Sequence, residues 1–303
     1  MQQSQVGQTK LVPKISSLVP AQSLTASKRS EEVSTGLRFT RYTYRLKSPN
    51  LVSCHSISPL VGIPVVFPQF GQCLKDMPQH GFARTSNWYF ESSHINSESI
   101  SVTFGLSDTE ATLALWPHKF KLEYTVSLSE EHLLCSLKVK NTGASAFGVH
   151  TLLHTYLKVP SIQDVQVKGF KDRAFVDKVD NCQDGIDARD IATITGEVDR
   201  VMTGKVDNPI KSVALILAKN RRQITVQAAA SLTDSTGKSV LWPHDVVFWN
   251  PWIVKAKALS DLGDLDYKEF LCLEPGTTSD WVTVVPRGDL TLSQILVSSS
   301  SSQ

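Results

Sequence analysis

Two stretches of alternating apolar and polar residues constrain the fold of this chain more than any other feature. Residues 120–128 place Phe, Leu, Tyr, Val and Leu at every second position, with Lys, Glu, Thr and Ser between them. Residues 133–139 largely repeat this pattern, and an Asn-Thr-Gly turn signal follows at 141–143. Because side chains alternate between the two faces of a β-strand, the pattern predicts half-buried antiparallel strands.

Short apolar segments at close spacing continue this pattern from residue 99 to the end of the chain. The further predicted strands cover residues 100–104, 112–115, 148–159, 165–167, 213–217, 224–226, 246–249, 270–273 and 281–285. Many short strands without sustained helical periodicity are typical of an all-β sandwich or barrel. We therefore predict an all-β fold class, built from antiparallel sheets.

The charge of the chain is distributed unevenly along its 303 residues, although the net charge is only +2. Residues 1–60 contain eight Lys or Arg and two acidic residues, whereas residues 61–303 contain 23 Lys or Arg and 27 acidic residues. This asymmetry predicts a basic, divergent or disordered segment at 1–60, a β-sandwich domain at 61–297 and a disordered tail at 298–303. The near-neutral total provides no basic field for nucleic acid, so we expect no nucleic-acid partner.

Cysteine use and hydropathy bear on the compartment. The five cysteines are odd in number and widely spaced, without a C-x-x-C pair, so a reducing, cytoplasmic environment is expected. No apolar run reaches the roughly 18–20 residues of a membrane span, so no membrane partner is expected. Residues 1–30 are rich in Ser and Gln and lack acidic residues, which leaves organelle targeting as the alternative.

Two histidines four residues apart, His150 and His154, invite a test for a metal site. On a strand such histidines stand roughly 13 Å apart, at about 3.3 Å per residue, which is too far to share an ion. We therefore predict no metal site. The chain also lacks the glycine-rich phosphate-binding motifs and the G-x-S-x-G motif, which excludes the common nucleotide-binding and hydrolase classes.

Polar residues beside predicted strand ends and turns are the remaining candidates for chemistry. These residues are Gln79, His80, Arg84, His154, Asp199 and Glu274. A carboxyl group at the end of a buried strand is desolvated, so its pKa rises toward the range of a general base. A nearby histidine would be the complementary acid. Alternatively, His154 is a core histidine and Glu274 is a turn residue. The two residues are 120 positions apart, and this spacing does not show whether they meet.

The chain resembles the glucose-6-phosphate 1-epimerases, relatives of galactose mutarotase, in six short sequence segments that occur in the order found in that family. They lie between residues 62 and 290, at Gly62–Gly71, Pro78–Arg84, Leu152–Tyr156, Val198–Val201, Trp249–Trp252 and Asp266–Gly276. The resemblance implies a large antiparallel β-sandwich. It also implies interconversion of the α and β anomers of a hexose 6-phosphate, without a cofactor, by a monomer whose partner is a small sugar phosphate.

The resemblance also implies roles for the candidate residues. His154 matches the general acid of the family, which protonates the ring oxygen, and Glu274 matches its general base. Gln79, Arg84 and Asp199 match substrate-binding positions, with Arg84 as the partner of the phosphate. His80 either assists binding or braces its loop.

One departure from the family pattern leads to alternative functions. The family usually has Arg where this chain has Leu60, so a second phosphate contact is expected to be missing, and the opening strands are expected to be missing or replaced. The main alternative is a catalytically impaired sugar-phosphate binding protein. Epimerisation of unphosphorylated galactose and a glycosidase with paired carboxylates are further alternatives.

Overall fold

The strands of the protein, in this computed structural model, form two large antiparallel sheets. The structure describes residues 24–27, 43–46, 62–217, 219 and 221–300. Leu60 and most of the basic segment 1–60 lie outside these residues, so the predictions made for them stay predictions.

The described residues contain twenty strands and two short α-helices. The strands are β1 (Leu24–Ser27), β2 (Thr43–Leu46), β3 (Val65–Val66), β4 (Tyr89–Ile95), β5 (Ser99–Ser107), β6 (Phe120–Ser129), β7 (His132–Asn141), β8 (Phe147–Leu153), β9 (Tyr156–Lys158), β10 (Val165–Lys168), β11 (Arg173–Asp177), β12 (Gln183–Asp187), β13 (Ala192–Thr193), β14 (Val198–Met202), β15 (Val213–Leu217), β16 (Arg222–Thr233), β17 (Ser239–Trp242), β18 (Asp245–Asn250), β19 (Phe270–Val284) and β20 (Asp289–Ser300). The helices are α1 (Glu110–Leu115) and α2 (Trp252–Ala258).

The larger sheet has ten strands in the order β13-β10-β15-β16-β20-β7-β6-β5-β4, with β17 paired to β16. The other has eight strands in the order β12-β11-β14-β18-β19-β8-β3, with β9 paired to β19. β1 and β2 pair with each other in a separate two-stranded sheet. The long ladder between β16 and β20 spans the middle of the larger sheet.

The predicted alternation is confirmed in the larger sheet, where every second residue is buried from Phe120 to Val126 of β6 and throughout β7. The buried side chains pack against the inner face of the eight-stranded sheet in one apolar cluster. It contains Leu122, Leu137 and Leu292 from the larger sheet and Val149, Leu153, Leu271, Leu273 and Val284 from the smaller. Burial of this kind contributes about 25 cal/mol per Å² of apolar surface. The prediction of an all-β fold, as a large antiparallel β-sandwich, is confirmed.

The prediction of a strand at 112–115 is wrong, because these residues end helix α1. The side chain of Thr109 accepts a hydrogen bond from the backbone N–H of Thr112, and the side chain of Thr112 accepts one from the N–H of Thr109. This reciprocal capping satisfies backbone donors that a helix start leaves free, and it stabilises a short helix over an apolar run.

Three other predicted boundaries differ from the structure. The segment 148–159 is interrupted after Leu153, so that β8 and β9 are separate strands. The segments 270–273 and 281–285 belong to one strand, β19, which has an irregularity between Thr277 and Val282. β20 continues to Ser300, three residues into the predicted tail, because residues 298–300 pair with β16.

The eight-stranded sheet carries a second, smaller cluster on its outer face. Its buried members are Val66, Leu152, Val201, Val247, Trp249, Phe270 and Cys272. Along β19, Leu271 and Leu273 belong to the inner cluster, whereas Cys272 belongs to the outer one. Side-chain alternation therefore places Glu274 on the outer face with Cys272. In the part of the chain that the structure describes, no helix is long and apolar enough to cross a membrane.

Candidate active site

The register of β19 brings Glu274 opposite His154. Two cross-strand pairs with the same register flank this position: Gly276 with Leu152, and Cys272 with Tyr156. His154 lies in the short break between β8 and β9, between these two pairs. The register on both sides of the break therefore places His154 opposite Glu274. Directly opposite residues of antiparallel strands share a face, with Cβ atoms about 4.5–5.5 Å apart. The sheet thus brings together two residues that are distant in the sequence.

The carboxyl group of Glu274 and the imidazole of His154 are buried neighbours. Nδ1 of His154 lies 3.5 Å from Oε1 of Glu274. Glu274 is 1% exposed and His154 is 7% exposed. Neither carboxyl oxygen of Glu274 nor Nδ1 of His154 has a hydrogen-bond partner among the described residues. Buried polar atoms without partners are costly, so these atoms are prepared to bind a polar ligand.

Burial dominates the protonation of both groups. It raises the pKa of Glu274 well above its ordinary value; Asp199 acts in the same direction and Lys178 opposes it. Burial lowers the pKa of His154 well below its ordinary value, together with the positive charge of Arg84 nearby. Both shifts favour the uncharged form of each group, and in that form the pair holds one proton, on Glu274. The charged arrangement, with carboxylate and imidazolium, contains the same number of protons.

An aromatic wall surrounds the pair. The ring of Tyr156 stacks on that of His154, with centroids 4.7 Å apart and planes 8° apart. The indole of Trp249 meets the imidazole edge-on at 5.7 Å. These rings restrict the imidazole, and they form an apolar surface of the kind that packs against the C–H groups of a small ligand. The hydroxyl of Tyr156 is itself buried without a partner among the described residues.

A tight loop presents His80 to the pair. His80 has a φ of +65°, and its ring centroid lies 5.9 Å from that of His154. The next residue, Gly81, has a φ of +74°, and a Cβ there would lie 2.0 Å from the carbonyl oxygen of Phe67. Only glycine fits this turn. Because Nδ1 of His80 accepts a hydrogen bond of 3.2 Å from the N–H of Gly71, the imidazole braces the loop.

The environment of His80 keeps its imidazole neutral. Burial, together with the positive charges of Arg84 and Lys178, lowers the pKa of His80 to about 3. A protonated Nδ1 could not accept the hydrogen bond from Gly71, so the bracing contact requires the neutral form. His80 is therefore an uncharged group between two cations.

Arg84 follows His80 in a short 3₁₀ turn at Ala83–Thr85. Its Nη2 donates a hydrogen bond of 2.9 Å to the backbone carbonyl of Gln79. Burial lowers the pKa of Arg84, whereas Tyr156 and Asp261 raise it. A partly desolvated guanidinium with five N–H donors is a strong binding group for an anion. Gln79 is exposed, and its contact with Arg84 is made by the backbone.

Asp199 lies in the cross-strand row next to that of the pair. In β14 it is opposite Trp249 of β18, which is opposite Cys272 of β19. Its carboxylate is buried and accepts a hydrogen bond of 3.2 Å from Nζ of Lys255 on helix α2. Nζ of Lys178 lies 3.9 Å from its other oxygen. Asp199 therefore lies beside two lysine ammonium groups, and its charge contributes to the raised pKa of Glu274.

One group of side chains in the described residues is close enough together to hold a metal ion. The ligand atoms of His154, Cys272 and Glu274 all lie within 4.8 Å of one another. Imidazole, thiolate and carboxylate are ligands that zinc accepts. The prediction of no metal site was based on the spacing of His150 and His154 alone, and it stays a prediction. The ring of His150 stacks on that of Trp281 at 4.0 Å.

Five of the six predicted site residues contact or electrostatically influence one another, namely His80, Arg84, His154, Asp199 and Glu274. Their roles stay predictions. Cys272, Tyr156 and Lys178 are neighbours of these residues that the sequence did not lead us to expect, whereas Trp249 was expected either in the pocket wall or in the core. Strand alternation could have identified Cys272, two residues before Glu274. No signal in the sequence identified Lys178, which follows a short strand.

The sequence of the chain is similar to that of known proteins. The model of the family described as aldose 1-epimerase matches residues 58–297. A protein of Cenchrus ciliaris named "Putative glucose-6-phosphate 1-epimerase" is 30% identical over 254 residues, which cover 80% of this chain and 72% of that protein. A protein of Escherichia coli with the same name is 31% identical over 221 residues, which cover 72% of this chain and 67% of that protein.

Solved structures share the fold. The crystal structure of a "putative mutarotase" from Salmonella typhimurium superposes with a TM-score of 0.68 at 26% sequence identity. The superposition covers 84% of this chain and 79% of that one.

Proposed function

Because this chain belongs to the aldose 1-epimerase family, we propose that it interconverts the α and β anomers of a hexose 6-phosphate. The observation that carries the proposal is the buried, unpartnered pair of Glu274 and His154, whose facing atoms are 3.5 Å apart. A base and an acid at this separation can act together on two neighbouring oxygens of one sugar. Arg84 provides a cation at the same site.

The proposed reaction begins with ring opening. Glu274 takes the proton of the hydroxyl on C1 while His154 gives a proton to the ring oxygen. The C1–O bond to the ring then breaks, and its electron pair goes to the ring oxygen, which leaves an aldehyde at C1. Rotation about the C1–C2 bond exposes the other face of the aldehyde. The reverse transfers close the ring as the opposite anomer. A positioned acid or base contributes about 10²–10⁴-fold each.

The protonation of the pair suits this cycle. The reacting form needs a carboxylate on Glu274 and a proton on His154, which is one proton for the pair. Sugar hydroxyls in the site would donate to the carboxylate and so favour its charged form. Transfer within the pair therefore prepares the reacting form without exchange with solvent. These proton transfers need no redox or metal cofactor.

The remaining groups would bind the substrate. Arg84 is the proposed partner of the phosphate, because a guanidinium can donate to two phosphate oxygens in parallel. Asp199 is the proposed acceptor for sugar hydroxyls, because it is buried and lies directly opposite Trp249 on the face of the sheet that carries the site. His80 would brace the loop that carries Arg84.

An anomer-specific coupled assay tests this function. The purified protein is added to freshly dissolved α-glucose 6-phosphate, and the appearance of the β anomer is measured against the spontaneous rate. We expect clear acceleration, and Arg84→Met should raise KM for glucose 6-phosphate about tenfold or more while KM for glucose changes little. Acceleration with glucose or galactose but not with the phosphate would refute the proposed substrate.

The alternative, a sugar-phosphate binding protein without turnover, gives a different result in the same experiment. For this alternative, glucose 6-phosphate should raise the melting temperature of the protein, but the rate of anomer exchange should stay at its spontaneous value. Binding without acceleration would therefore replace the proposed enzyme by that alternative.

A further inference from the structure

A second cation, Lys178, reaches the outer face of the eight-stranded sheet from β11. Asp177, the last residue of β11, is opposite Arg200 of β14. The next residue continues this register, since the N–H of Lys178 donates a hydrogen bond of 2.8 Å to the carbonyl of Asp199. Lys178 therefore extends the cross-strand row that contains Asp199, Trp249 and Cys272. Residues directly opposite one another share a face of the sheet, so Lys178 lies on the face that carries the candidate site.

The side chain of Lys178 points along this face toward the loop that holds His80. Its Nζ lies 4.5 Å from the centroid of the Phe70 ring, a cation–π contact. The Phe70 ring in turn lies 5.3 Å from that of His80, which is 5.9 Å from that of His154. The aromatic rings thus connect the ammonium group with the catalytic pair through direct neighbours.

The ion pair between Lys178 and Asp199 is the looser of the two that Asp199 makes. Nζ of Lys178 is 3.9 Å from Asp199, whereas Nζ of Lys255 is 3.2 Å from it. Lys255, which also pairs with Glu197 at 3.2 Å, is therefore the closer cation to Asp199. The Lys178 side chain is 32% exposed, and an ammonium group on a flexible stem can turn toward an arriving anion.

We propose that Lys178 is the second cation that binds the 6-phosphate group, together with Arg84, and that it determines the preference for phosphorylated over free sugars. The proposal rests on the function proposed above. A phosphate dianion has several strong acceptor oxygens, and two cations of different shape complement it better than one. The guanidinium of Arg84 supplies a planar fork, and the ammonium of Lys178 supplies three donors from another direction.

The two cations also share an electrostatic neighbour. The positive charges of Arg84 and Lys178 both lower the pKa of His80. His80 thus lies within the field of each cation, and its neutral ring adds no third charge. An anion placed near His80 would be attracted from both sides.

The experiment compares Lys178→Met with Lys255→Met in the full chain. Both variants remove a cation next to Asp199, but only the first removes the cation above Phe70. The first readout is titration calorimetry with inorganic phosphate, which requires no turnover. The second is KM for glucose 6-phosphate and for glucose in the anomer assay. Lys178→Arg serves as the conservative variant.

We expect Lys178→Met to weaken phosphate binding and to raise KM for glucose 6-phosphate about tenfold, with KM for glucose nearly unchanged. Lys178→Arg should restore most of the affinity. Lys255→Met should affect glucose and glucose 6-phosphate alike, because the described partners of this ammonium group, Asp199 and Glu197, are carboxylates of the protein.

Equal losses for both sugars in Lys178→Met would mean that Lys178 merely positions Asp199, and would overturn the proposal. Unchanged phosphate affinity in that variant, or no phosphate binding by the wild type, would also overturn it. If the wild type binds phosphate through Lys178 but does not accelerate anomer exchange, the proposed function fails while the phosphate site stands.

Discussion

The two faces of strand β19 differ in what their residues are placed to do. Leu271 and Leu273 point into the sandwich, where they are fully enclosed by apolar side chains of both sheets. Cys272 and Glu274 alternate with them and point to the outer face, where the carboxyl group of Glu274 is equally buried but has no hydrogen-bond partner among the described residues. We therefore expect neighbouring residues of this strand to stabilise the fold on one side and to carry the proposed chemistry on the other. The difference suggests that substitutions on the two faces have separable effects.

The largest expected effect is the loss of activity when the pair on the outer face is altered. Glu274→Gln and His154→Gln should each lower kcat/KM for anomer exchange by about 10²–10⁴-fold, because each removes one proton-transfer group. The double variant should be scarcely worse than either single variant, since the two groups act as a unit. The coupled anomer assay measures all three. Multiplied losses in the double variant would contradict a concerted pair.

A change on the inner face should have the opposite profile. Leu273→Ala removes a fully buried side chain from the core and should cost about 2–5 kcal/mol of the free energy of unfolding. Urea denaturation measures this cost. At temperatures where the variant remains folded, its kcat should stay near that of the wild type. A strong loss of kcat in fully folded Leu273→Ala would show that the faces are not separable.

The pH dependence of kcat/KM sharpens the comparison, because the outer face titrates and the inner face does not. We expect burial to raise the pKa of Glu274 and to lower the pKa of His154 far enough that the pair holds one proton across neutral pH. Activity should therefore be level through neutral pH. It should fall about tenfold per pH unit once the pair loses its proton above the raised pKa, or gains a second proton below the lowered one.

The pH profile has a simple contrast. If both groups kept their ordinary values, the carboxyl would lose its proton near pH 4.5 and the imidazole near 6.5. An alkaline loss of activity near pH 6.5 would then show an unperturbed pair, and the argument from burial would fail.

The smallest expected effect concerns the aromatic wall. Tyr156→Phe keeps the ring stacked on His154 but removes a buried hydroxyl that has no partner among the described residues. If this hydroxyl binds the sugar, kcat/KM should fall by about two- to tenfold, the value of one neutral hydrogen bond. The melting temperature should not decrease, because the free protein loses no hydrogen bond. A drop in melting temperature at unchanged activity would assign Tyr156 to the fold alone.

Much of the fold could be predicted from alternation alone. The strand at 120–128 is visible in the sequence itself, because burial on one face of a strand imposes a period of two on the sequence. Helix α1 could not be found in this way. Its stability depends on reciprocal hydrogen bonds between Thr109 and Thr112, and a short apolar run at 112–115 looks the same in a strand and in a helix.

The candidate site was only partly predictable. Glu274 and His154 were candidates because of their residue types and the family strings, but their spacing says nothing about contact. Contact depends on the register of β8 and β9 against β19, which is a long-range property of the sheet. Lys178 was missed for the same reason, since only the pairing of β11 with β14 places it beside Asp199.

Exchange NMR on glucose 6-phosphate at anomeric equilibrium tests the central claim most directly. Magnetisation transfer between the α and β protons on C1 is measured with wild-type protein and with Glu274→Gln, without coupling enzymes. We expect exchange far above the spontaneous rate with the wild type and close to the spontaneous rate with folded Glu274→Gln. Equal acceleration by both proteins, or none by either, would contradict it.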